Sequence, residues 1–204
     1  KFFNSKLKDE WSLYRINIDL NITNVDDESY DINVLKEYDS IVVIHMASPQ
    51  ALQCELDPTV GIEVNIKMIN SILESKFFSK IKSIIYFSTS RIYGDNIQDN
   101  YNEYSDIKIE NAYAAIKYLT EIELKKLWLF NKKKFNVYIL RLSNVAQVLA
   151  KDLVERPLIN EFCWQSVNTN SINIKSDSNL NKNFVNFKNL LDAVLILVNE
   201  KISG

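Results

Sequence analysis

The stretch SIVVIHMAS, residues 40–48, is apolar and β-branched from Ile41 to Ile44 and then breaks into small residues. A continuous apolar run of strand length suits a strand covered on both faces, as in a parallel sheet. IKSIIYFS at 81–88 repeats the pattern, and FNVYILRL at 135–142 supplies a third such segment. Helical periodicity fills the gaps. Val64, Met68, Ile72 and Leu73 predict a helix over 60–78, with Pro58 placed to open it. Tyr113, Ala114, Lys117, Leu119, Ile122, Leu124 and Leu127 predict a second helix over 111–130 with a broad apolar face. Working outward, a strand is expected at Leu13–Ile18 and a short helix within Ser29–Tyr38. A short strand is expected at Ile172–Ile174 and a last helix at Leu190–Val198. Strand–helix alternation of this kind is the pattern of an α/β, doubly wound parallel sheet.

Such sheets bind ligands beyond the carboxyl ends of their strands. The residues that follow each strand are Asp19, then Ala47 and Ser48, then Ser88, Thr89 and Ser90, then Ser143 and Asn144. All are small or polar, as the lining of a cleft would be.

The 204 residues are 47% hydrophobic and 25% charged, enough for one buried core. A net charge of −2 offers no whole-chain attraction to nucleic acid or to an anionic membrane. The run Lys132–Lys134 reads as a solvated helix end. Cys54 and Cys163 stand far apart, and with a single histidine in the chain no metal site is expected. Reduced thiols and the lack of any apolar run near ~20 residues fit a cytoplasmic protein. Glycine is scarce: Gly61, Gly94 and Gly204 stand where average usage gives about fourteen. No glycine-rich phosphate loop fits within these residues.

Tyr113 and Lys117 are four apart on one helix and share a face. An ammonium beside a phenol favours the phenolate, so the Tyr113 pKa is expected below its usual value near 10. A tyrosine tuned in this way can take a proton from an alcohol while hydride leaves the carbon. A hydroxyl at Thr89, at the end of the 81–88 strand, would hold the same oxygen. YxxxK by itself is a weak signal, equally met by a core tyrosine beside a surface lysine. The conjunction with a buried strand ending in STS is what gives it weight.

In the order of its motifs the chain resembles an extended short-chain dehydrogenase/reductase, the NAD-dependent epimerase/dehydratase family acting on nucleotide sugars. IVVIHMAS resembles that family's VIHLAA strand, and PTVGIEVNIKMINSILES its following helix with the characteristic Asn65. IKSIIYFSTSRIYG resembles its serine/threonine strand. YAAIK is the YxxxK, YILRLSNV carries R-x-x-N, and NFVNFKNLLDAVLILVNE resembles the later helix region. The resemblance implies a Rossmann-type core over 1–150 and part of a substrate-binding lobe, plus a returning core helix, over 151–204. It implies Thr89, Tyr113 and Lys117 as the catalytic set. Asp19, Leu20, Ala47, Ser48, Asn65 and Ser88 would join Tyr113 and Lys117 around the cofactor, and Ser90, Arg91 and Asn144 would meet the substrate. NAD is the implied cofactor, with NADP left open. The implied partners are a nucleotide sugar and a second copy of the chain, paired through the helices at 60–78 and 111–130. Polysaccharide biosynthesis is the implied setting.

Two departures from the family pattern matter. The glycine motif and first two strands have no counterpart, so the chain is expected to be part of a longer polypeptide, cut at both ends. Family dehydratases carry Asp-Glu after the catalytic threonine, where Ser90 and Arg91 stand here. An epimerase passing through a transient keto intermediate is therefore favoured over a dehydratase. A reductase or dehydrogenase of the family, or a degenerate binding or dimerisation module, remains as an alternative. His45 reads as a buried structural histidine, Asp26–Glu28 as an acidic turn, and Trp128 and Phe130 as packing residues.

Overall fold

The computed structural model describes residues 32–94, 101–132, 134–146, 158–174 and 182–199. The expected strand at 13–18, the acidic turn at 26–28, and Asp19 and Leu20 lie outside them. A 3₁₀ turn at Ile32–Glu37 leads into β1 (Ile41–His45), matching the short helix expected there. Short helix α1 (Ala51–Leu56) follows. Asp57 then caps α2 (Pro58–Ile62) by accepting from the Thr59 N–H, with Pro58 in the first turn as expected. From α2 the helical backbone continues through a π turn at Glu63–Lys67 into α3 (Met68–Glu74). β2 (Ile81–Thr89) and α4 (Ala112–Phe130) come next, then β3 (Asn136–Leu142).

The three strands form one parallel sheet in the order β1-β2-β3, with His45 beside Tyr86 and Thr89 beside Leu142. Alternation along β2 divides the core into two layers. Ile84 and Tyr86 pack with Ile69 of α3 and Leu124 of α4 on one face. Ile85 and Phe87 pack on the other with Leu190, Val194 and Val198 of the last helix. Apolar cover on both faces is why these strands read as unbroken hydrophobic runs.

A second, two-stranded parallel sheet joins β4 (Asn144–Ala146) to β5 (Phe184–Asn186), with α5 (Leu158–Thr169) between them in sequence. α6 (Phe187–Asn199) follows β5 directly and contains the expected 190–198 helix. The strand expected at Ile172–Ile174 is not formed. The Asn173 N–H donates to the Gln165 side chain at 2.7 Å, tying the segment to α5, and both isoleucines are exposed.

α4 departs from its expected face. The buried positions are Ala114, Ile116, Lys117, Thr120, Glu121 and Leu124, while Leu119, Ile122 and Phe130 are exposed. Trp128 packs against the core as expected; Phe130 does not. The helix turns a partly charged stripe toward the sheet because that stripe follows the 3–4 spacing through 117, 120/121 and 124. Gly61 lets α2 lie against α4: a Cβ there would come within 2.5 Å of Ile116 Cδ1 and 3.0 Å of Cys54 Sγ.

Candidate active site

The site lies at the carboxyl ends of β1 and β2, where α4 begins. Thr89 is the last residue of β2, and its hydroxyl caps the 3₁₀ turn Ser90–Tyr93 by accepting from the Arg91 N–H at 3.2 Å. A threonine oxygen used as an acceptor keeps its proton to give elsewhere. The turn closes at Gly94, whose φ of 102° is a conformation that favours glycine.

Asn111 fixes the start of α4, its side chain accepting from the Ala114 N–H at 2.8 Å. The Tyr113 N–H donates to Glu55 of α1 at 3.3 Å. Tyr113 is half-buried. Burial, and then Cys54, push its phenol up, while the Arg91 guanidinium and a hydrogen bond with Ser48 act the other way. The expected depression by Lys117 is not what the structure gives. The Lys117 ammonium lies over the ring, 5.9 Å from its centroid, and is directed at the Phe87 carbonyl instead.

Lys117 is only 2% exposed. Its Nζ donates to the Phe87 carbonyl at 2.8 Å and sits 4.8 Å from the centre of the Tyr86 ring, a cation–π geometry. Burial lowers its pKa to about 8. Asn65, in the π turn, donates to the Gly61 carbonyl at 2.9 Å and to Ser48 at 3.5 Å, and accepts from the Tyr86 hydroxyl at 3.1 Å. A π turn places an extra residue in the helix and often marks a functional site. Here it aims Asn65 into the wall beneath Ser48.

Ser48, Asn65, Arg91, Tyr113 and Lys117 are thus linked around one locus, with Thr89 at its edge. Ala47 is exposed beside Ser48. Asn144 stands apart: it is exposed at the start of β4 and its amide donates to the Asn183 carbonyl at 3.1 Å. His45 is buried and neutral, held down to about 4 by burial and the Lys117 charge, with its ring stacked on Tyr86 at 5.5 Å. Among the described residues no group of acidic, histidine or cysteine side chains is arranged for a metal. No helix there is long and apolar enough to cross a membrane.

A buried polar network lies directly beneath. Ser88 donates to Glu121 Oε1. Glu121, 4% exposed, accepts from Arg141 Nε at 3.2 and 3.1 Å and from Arg141 Nη2 at 2.7 Å. Arg141 Nη1 continues to the Tyr93 hydroxyl at 2.6 Å and the Glu103 carbonyl at 3.4 Å. The carboxylate holds Arg141 more firmly protonated than usual. Residue reading missed Glu121 and the role of Arg141, though a signal existed. A charge inside an apolar strand requires a partner, and Glu121 continues the 113–117 spacing by four.

Residues 4–203 match the NAD dependent epimerase/dehydratase family. The chain belongs to that family. Among its relatives is the mouse dTDP-D-glucose 4,6-dehydratase, 26% identical over 120 residues, covering 58% of this chain and 33% of the mouse protein. The chain therefore matches about a third of that relative's length. Of solved structures, UDP-glucose 4-epimerase of Thermotoga maritima with UDP-glucose superposes with a TM-score of 0.73 at 19% identity. It covers 87% of this chain and 58% of its own. The Thermus thermophilus UDP-glucose 4-epimerase complex with NAD gives 0.70 at 17% identity, over 90% and 60%. These likenesses show the Rossmann-type fold. In the family's terms, YAAIK lies at the start of α4 and STSRIYG spans the end of β2 and the turn after it.

Proposed function

We propose that the protein is an NAD-using epimerase of a nucleotide sugar, with Thr89, Tyr113 and Lys117 as its catalytic residues. The observation that carries this reading is a Tyr–Lys pair and a strand-end threonine at one locus, followed by Ser90 and Arg91 rather than a carboxylate pair. In this mechanism Tyr113 accepts the proton of a sugar hydroxyl and later returns it. Thr89 donates a hydrogen bond to the same oxygen and fixes its position. Arg91, with Ser48, acts against the burial that raises the Tyr113 phenol and reduces that rise without cancelling it.

The residues at the end of β1 fit a dinucleotide. Ala47 is exposed and without bulk, Ser48 offers a hydroxyl, and the Lys117 ammonium has three donors of which the Phe87 carbonyl takes one. When bound, NAD supplies a hydride acceptor and returns the hydride. Asn65 buttresses this wall, and Ser88 belongs to it with its hydroxyl proton already given to Glu121. Asp19 and Leu20 would meet the adenine end. Ser90, Arg91 and Asn144 would meet the substrate. Exposed Ile62 on α2 and Leu119, Ile122 and Leu129 on α4 support a homodimer through these helices.

The dehydratase relatives favour a second reading, 4,6-dehydration. The two reactions separate in deuterated water. Dehydration removes a proton beside the keto carbon and returns one from solvent, labelling the product; epimerisation through a simple 4-keto sugar leaves that carbon unlabelled. The test is turnover of UDP- and dTDP-hexoses by the full-length protein in deuterated water, with Tyr113→Phe alongside. Unlabelled epimer, lost in Tyr113→Phe, is the expected result. A labelled deoxy-keto product, or full activity in Tyr113→Phe, would overturn the proposal.

A further inference from the structure

We propose that Glu121 is a positioning residue that locks the end of β2 to α4 through Ser88, and so sets the placement of Thr89 against Tyr113 and Lys117. The inference rests on the catalytic reading above for those three residues, and its own basis is geometric.

Ser88 stands between two residues the site depends on. The carbonyl of Phe87, just before it, holds the Lys117 ammonium at 2.8 Å. Thr89, just after it, bears the strand-end hydroxyl. The Ser88 hydroxyl donates to Glu121, which lies on α4 four residues beyond Lys117 and eight beyond Tyr113. Four residues of helix rise about 6 Å, so a shift at Glu121 is carried rigidly to Lys117 and Tyr113.

Arg141 fixes Glu121 in turn. Three N–H···O contacts of 2.7–3.2 Å hold the carboxylate against β3, whose residue 141 is directly paired with Ser88 in the sheet. The same guanidinium reaches the Tyr93 hydroxyl at 2.6 Å, at the end of the turn that Thr89 caps. The network therefore clamps both sides of Thr89 and the helix bearing its two partners. Tyr93 stacks on Tyr101 at 5.1 Å, which extends the clamp to the loop after the turn. A misplacement of about 1 Å in such a set can cost a hundredfold in rate, so a clamp of this kind acts on catalysis without touching substrate.

The test compares Ser88→Ala, Glu121→Gln and the double variant in the full-length protein. Ser88→Ala keeps the Glu121–Arg141 ion pair and carries the experiment if Glu121→Gln does not fold. Two readouts are taken: steady-state kinetics, and a ¹³C NMR titration of the Lys117 ε-carbon. The titratable groups facing Lys117 are Tyr86 of β2, Tyr113 of α4, Cys54 of α1 and His45 of β1, all unchanged in these variants.

The expected result is a fall in kcat of about tenfold in Ser88→Ala and about a hundredfold in Glu121→Gln, with KM little changed. The double variant is no worse than Glu121→Gln, because both act through one link. The Lys117 midpoint falls below about 8 as the Phe87 carbonyl, an acceptor that favours the charged ammonium, is withdrawn. An unchanged Lys117 titration, or an unchanged kcat, overturns the proposal. Full activity in Tyr113→Phe would refute the catalytic reading instead, and the Lys117 titration then decides the clamp alone.

Discussion

Replacing Lys117 with methionine should abolish turnover while leaving the fold as stable as before, or more so. Lys117 is fully buried, and its pKa is about 8 in the folded chain against 10.5 for an ordinary lysine. The folded state thus holds the proton less tightly than the unfolded state. Stability must rise with pH between those two values, and below the lower one the cost of burying the charge is fully present. At 1.36 kcal/mol per pKa unit, that cost is about 3 kcal/mol at pH 7. Methionine removes it and fills much the same space, but leaves the Phe87 carbonyl without its donor, a loss of about 1–3 kcal/mol. The net change at pH 7 is expected between neutrality and about 2 kcal/mol of stabilisation.

The pH dependence isolates the effect. Tyr86 and Tyr113 are common to both proteins, and Cys54, whose thiol the Lys117 charge lowers, is carried as Cys54→Ala in both so that this coupling drops out of the difference. Urea denaturation of the Lys117 parent and Lys117→Met at pH 7 and pH 9.5 gives the quantity directly. By pH 9.5 the parent should have recovered about 2 kcal/mol relative to the variant. Turnover should fall by about 10²–10⁴ at either pH if Lys117 serves the acid–base step. A stability difference that does not move with pH, or a variant more than about 3 kcal/mol less stable at pH 7, would refute the reasoning.

Gly61→Ala forces a methyl onto Ile116 and Cys54, and should cost about 1–3 kcal/mol in thermal or chemical unfolding; a neutral result would mean that α2 and α4 can part freely. His45, with a pKa of about 4 against 6.5, is buried neutral, so its contribution is intact above pH 6.5 and lost as pH falls toward 4. His45→Phe should therefore flatten the acid limb of the stability profile by about 3 kcal/mol, and an unchanged acid limb would show that other groups set it.

Sheet and helices were legible in the sequence because the strands that build the sheet are covered on both faces. Continuous runs such as IVVI and SIIYF leave little ambiguity about a parallel core. The parts that were not legible lack that signature. β4 and β5 are three residues each and pair with one another across a long stretch of sequence. α5 has no fully buried side chain to mark its periodicity. Tyr113, Lys117 and Thr89 could be singled out because their chemistry is carried by residue type and spacing. Glu121 was passed over, since a glutamate on a helix is ordinarily a solvated residue, although it continues the 113–117 spacing by four. The register that sets Arg141 beside Ser88 supplies the partner that its inward position requires.

The distribution of buried charge bears on what the protein is for. Lys117 and Glu121 are buried and Arg141 is largely so, all near the carboxyl end of the β2–β3 pair, while both core layers against the described sheet are built from apolar side chains. Burying an ion pair contributes little net stability compared with apolar residues of the same volume, and the buried lysine is a standing cost. A module retained only for docking through α2 and α4 would be more stable with leucine or methionine in these places. Groups with displaced pKa values gathered at a strand-end cleft are the arrangement that acid–base chemistry requires. On physical grounds the balance favours an enzyme over a binding scaffold, because the charges lie where they weaken the fold and beside the hydroxyls they would serve.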